Sequence, residues 1–89
     1  MTNLALTGVR YQINNTQYFI EARETRGQSY QYVVWHNGAV LNNIGEFEIE
    51  PLPSNRDEAF ILRTRYTSPL LALERFKKWV TKHPDSMLE

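Results

Sequence analysis

The dipeptide Asn37-Gly38 constrains this chain more than any other feature. Both central residues of a type I′ hairpin turn need positive φ, which Asn and Gly tolerate best. The run before it, Ser29–His36, carries Tyr30, Tyr32, Val33, Val34 and Trp35, all β-favouring. A strand, a tight turn and a returning strand from Ala39-Val40-Leu41 are the expected outcome. Asn42-Asn43 and Gly45 then bend or bulge the chain before Glu46–Glu50, where Phe47 and Ile49 alternate with three carboxylates. In that strand the apolar pair is expected inward and the carboxylates outward.

The same alternation appears upstream. Val9, Tyr11 and Ile13 share one side of a strand, Asn14-Asn15 supplies a turn, and Tyr18, Ile20 and Ala22 oppose Phe19, Glu21 and Arg23. Val9–Arg23 therefore reads as a first hairpin, joined to the next strand by a loop over Glu24–Gln28. Pro51 and Pro53 end the fifth strand. Ala59–Tyr66 reads as a further strand, with Phe60, Leu62, Thr64 and Tyr66 on one side and Ile61, Arg63 and Arg65 on the other.

One helix is expected, over Ser68–His83. Ser68 is a good N-cap and Pro69 fits N1, where its missing N–H costs nothing. Leu73, Phe76 and Val80 recur at helical spacing, flanked by Ala72 and Trp79, and Pro84 stops the helix. Glu74 and Lys78 stand four apart in the favourable order. The resulting expectation is one small α+β domain over residues 1–89: an antiparallel meander of five to six strands with the C-terminal helix packed on one sheet face. Leu88-Glu89 is compatible with a vector-derived end and carries no weight.

Composition narrows the function. Leu, Ile, Val and Phe supply 23 of 89 residues at zero net charge, too apolar for a disordered tail. Cysteine is absent, which excludes disulfides, thiolate metal sites and Cys nucleophiles. The first residues lack a basic, apolar leader and no run spans a bilayer, so a cytoplasmic setting without membrane contact is expected. The two histidines, His36 and His83, are far apart and sit in no ligand-spaced cluster, and the four glycines form no phosphate-binding pattern. No catalytic residue, metal ligand set or cofactor is expected.

Glu46, Glu48 and Glu50 on one strand face invite a cation-site reading, with neighbouring carboxylates roughly 7 Å apart. Arg63 and Arg65 alternate in step on the following segment, and a charge ladder between the two is the stronger reading.

The remaining signal is aromatic. Both faces of Ser29–His36 are apolar or aromatic, and one helix covers only one face of a sheet. A non-catalytic protein-binding domain follows as the leading expectation, contacting a partner or a second copy as a homodimer through an aromatic sheet face or edge, with Tyr18, Tyr30, Tyr32 and Trp35 as contact residues. The alternative is a nucleic-acid-binding module using Arg63, Arg65, Arg75, Lys77, Lys78 and Lys82. Charge is uneven: residues 37–60 carry one base and five acids, residues 61–89 six bases and three acids. The basic end is thus separate from the tyrosines, which weakens base stacking combined with phosphate contact and suits partner electrostatics better.

Overall fold

The computed structural model describes residues 10–23 and 31–84. Five strands, β1 (Arg10–Gln12), β2 (Phe19–Arg23), β3 (Gln31–His36), β4 (Ala39–Leu41) and β5 (Phe47–Ile49), form an antiparallel sheet in sequential order. The meander and the C-terminal helix expected from the sequence are both present. Val9, the loop from Glu24, and Tyr30 lie outside the described residues.

The turns form for the reasons their residues suggest. Asn37 and Gly38 take φ of 50° and 81°, joining β3 to β4 with Trp35 opposite Val40. Between β1 and β2, Asn14 takes φ of 53°, and the Thr16 hydroxyl donates to the Ile13 carbonyl while accepting from the Tyr18 amide. Asn42 is the pivot between β4 and β5. Its side-chain oxygen accepts the amides of Ile44 and Glu46, and Gly45 closes the turn at φ of 87°.

Strand alternation sends Ile20, Ala22, Tyr32, Val34 and Leu41 to one face. There they form a core with Ile13, Tyr18, and Ala72 and Phe76 of α2 (Pro69–Lys82). Helix α2 starts as its sequence dictates: Ser68 caps it by accepting the Leu71 amide, and Pro69 occupies the first turn. Within β5, Phe47 packs against this core, but Ile49 is 74% exposed, contrary to its expected inward position. It lies on the edge strand, and no helix is packed over it among the described residues.

The segment read as a strand over Ala59–Tyr66 is instead a second helix, α1 (Glu58–Thr64). Asp57 caps it, accepting the Phe60 amide at 2.8 Å. Helical winding puts Phe60 and Thr64, four apart, on the buried side. Phe60 seats on Val33 and Val40 on the sheet face opposite α2. The sheet is therefore covered in part on both faces, which removes the premise that one helix must leave a whole face open. After α1 the chain is extended again, and Tyr66 exchanges both backbone hydrogen bonds with Tyr32 at 2.8 Å, alongside β3 past the end of β4. No helix among the described residues is long and apolar enough to cross a membrane.

Candidate functional site

Two of the aromatic contact candidates belong to the core. Tyr18 is 6% exposed and Tyr32 is 9% exposed, both beneath α2. Tyr18 lies among His36 (4.0 Å between ring centroids), Phe76, Trp79 and Phe47. These rings face inward because period-two alternation carries them with Ile20 and Val34 onto the helix-covered face. Tyr30 lies outside the described residues. Trp35 projects to the other face, half-buried beside Phe19, and the Arg10 guanidinium sits over both rings at 4.8 and 4.5 Å. This aromatic pair is already capped by a cation from its own chain.

The basic residues divide into two groups. Arg63 and Arg65, at the end of α1, are spent on the sheet's acidic edge. Arg63 forms a bidentate pair with Glu48, at 2.7 and 2.8 Å. That hydrogen bonding, against some desolvation and helped by Asn42, holds the Glu48 carboxyl below the usual glutamate range. Glu50 receives a bidentate Arg23 at 2.9 and 3.0 Å, with Arg56 at 3.3 Å and Arg65 at 3.5 Å behind it. Burial opposes ionisation of Glu50, but hydrogen bonding and charge from Arg23, then the charges of Arg56 and Arg65, overcome it and keep the carboxyl low. Burial pushes Arg65 down to about 10, Glu50 opposing and Arg23 and Arg56 reinforcing the shift. Glu21 extends the network by pairing with Arg10 and Arg23.

The expected pairing of Arg63 and Arg65 with the β5 carboxylates is thus present, though it reaches them from a helix and its extended cap rather than from a neighbouring strand. Glu48 and Glu50 act as internal counter-ions, while Glu46 is exposed and outside the network. Among the described residues no group of three His, Asp or Glu side chains could hold a metal ion.

Helix α2 presents the opposite situation. Arg75, Lys78 and Lys82 make no ion pair among the described residues, and Lys78 does not close on Glu74 despite their spacing. With Trp79 and Thr81 they line one wall of a groove of about 260 Å³, whose other wall is Ile44 and Gly45 of the β4–β5 turn. Lys77 lies elsewhere, beside Leu73 at a cleft against Tyr11, Gln12 and Ile13. The six basic candidates therefore do not form one surface. Arg75 also sits close enough to Tyr66 to favour its phenolate, but burial dominates and raises that phenol to about 12.

The groove has an apolar element that sequence reading missed. Ile44 is 73% exposed, held out by the Asn42 turn. Trp79 packs against the core and also forms groove wall. Its indole is flanked in near-parallel fashion by His83 at 4.6 Å and Phe76 at 6.0 Å, with Phe47 edge-on at 5.1 Å. An available sequence signal was the spacing of Arg75, Lys78 and Lys82, which puts all three on one stripe of a helix. Comparison of the chain with protein-family models, curated proteins and solved structures returns no match.

Proposed function

We propose that this protein is a small non-catalytic binding module that takes an acidic, partly apolar segment of a partner protein into the groove between α2 and the β4–β5 turn. The observation that carries this reading is the set of three cations, Arg75, Lys78 and Lys82, without carboxylate partners among the described residues, beside exposed Ile44. Cations without carboxylate partners around a groove favour an anionic ligand, and an apolar wall adds burial that a phosphate backbone would not use. The volume is below that of a typical small-molecule site, so it suits an anchoring pair of side chains better than a whole metabolite.

The nucleic-acid alternative is weaker on two observations. Arg63 and Arg65 are bound to Glu48 and Glu50. The Trp79 indole already stacks on His83 at 4.6 Å, so a base would compete with that ring.

Titration at low salt with a fluorescent Glu- and Leu-containing peptide, and separately with a short oligothymidylate, separates the readings. The expected result is peptide binding that weakens with salt and is lost in the Lys78→Glu/Lys82→Glu variant. Oligonucleotide binding without peptide binding would transfer the groove to nucleic acid, and silence with both would end the proposal.

A further inference from the structure

We infer that the segment taken by the groove is an α-helix running antiparallel to α2, with carboxylates at three successive positions of one stripe and an apolar residue at the fourth. This rests on the acidic-segment reading above and adds the partner's conformation and register. Leu71, Arg75, Lys78 and Lys82 are spaced four, three and four apart, the repeat along which two packed helices stay in register. Leu71 is 49% exposed, so the stripe has an apolar start and a cationic remainder. At a rise of about 1.5 Å per residue the three cations span roughly 10 Å along the helix. A facing helix repeats its side chains at the same interval. An extended strand brings same-face side chains back every ~7 Å and drifts out of step with the cations.

Orientation follows from the charges. The C-terminal half of α2 holds Lys78 and Lys82, and a facing antiparallel helix brings its N-terminal turns there. Carboxylates are favoured in those turns by their own helix dipole, and the two dipoles oppose. The partner stripe is then Glu, Glu, Glu and Leu at i, i+4, i+7 and i+11, with its Leu against Leu71. A flanking apolar side chain of the same helix fills the space beside Ile44 and Trp79.

Two synthetic peptides of identical composition and matched helicity test this with the full-length protein. In one, the three Glu and one Leu hold the i, i+4, i+7, i+11 stripe; in the other they are redistributed around the helix. The stripe peptide is expected to bind at least tenfold more tightly. Lys78→Glu should abolish that advantage, and a peptide carrying Lys in place of its facing Glu should restore it. Equal affinity of the two peptides would overturn the helical register while leaving the acidic-segment reading standing. Failure of both to bind would remove the reading on which the inference rests, and with it the inference.

Discussion

Both helices place basic side chains at their surface or end, and they use them differently. At the end of α1, Arg63 and Arg65 reach carboxylates that the sheet already provides, and Arg65 is 4% exposed at its side chain. On α2, Arg75, Lys78 and Lys82 have no such counterpart among the described residues and line an open groove. A count of basic residues cannot separate these cases. What separates them is whether a neighbouring strand supplies opposite charge at the right height: β5 does so for α1 through Glu48 and Glu50, and the face beneath α2 is apolar. Cations with internal partners hold the fold together, whereas cations without them are available for an external anion.

The contrast can be broken most severely through the core. Among the described residues, Phe76 belongs to a cluster of nine buried residues and Phe60 to one of three. Phe76→Ala should cost about 3–5 kcal/mol, with Phe60→Ala toward the lower end of that range, read from chemical denaturation. The order would reverse if the α1 face were the principal core. Next in size is Glu50→Gln, which strips three arginines of their shared carboxylate. It should cost about 3 kcal/mol, and a loss under 1 kcal/mol would mean the network contributes little.

The same network sets the acid response. Glu48 and Glu50 both titrate below their ordinary value of 4.5, so the folded protein binds fewer protons than the unfolded chain there. Their contribution is complete above that value and drains as pH falls through their lower folded pKa values. Thermal melts should show a steep acid limb in the wild type and a shallower one in Glu50→Gln, and parallel limbs would contradict the assignment. Smaller still, Asp57→Ala removes the α1 cap and should cost about 1 kcal/mol in the same melts. The smallest stability effect belongs to Lys78→Glu/Lys82→Glu, within about 0.5 kcal/mol, because both are surface positions away from the core.

Local signals made most of the fold legible. Asn37-Gly38 and Ser68-Pro69 each specify a backbone geometry by their own chemistry, and both turn and helix start stand where those residues put them. Helix α1 was misread because two periods fit the same letters. Phe60, Leu62, Thr64 and Tyr66 alternate like a strand, while Phe60 and Thr64 also stand four apart behind Asp57. The cap decides between them, since it satisfies an amide that a strand would have paired with a neighbour. The charge ladder survived the error because long arginine side chains reach the β5 carboxylates from α1 and its cap.

The site was less legible. Tyr18 and Tyr32 looked available because the strand pattern does not say which sheet face α2 covers, and a large aromatic is equally at home in a core or an interface. Ile44 could not be singled out, because its exposure depends on how Asn42 folds the turn. The stripe formed by Arg75, Lys78 and Lys82 was readable, but its freedom from carboxylates is a property of the packed structure.

The division of labour between the two helices is tested most directly by amide and indole chemical shifts of the wild-type protein during titration with the stripe peptide. Shifts are expected to concentrate at Ile44, Gly45, Lys78, the Trp79 indole and Lys82, with Arg63, Arg65 and the Trp35 indole unmoved. Shifts centred on Trp35, Phe19 or α1 with a quiet groove would contradict that division.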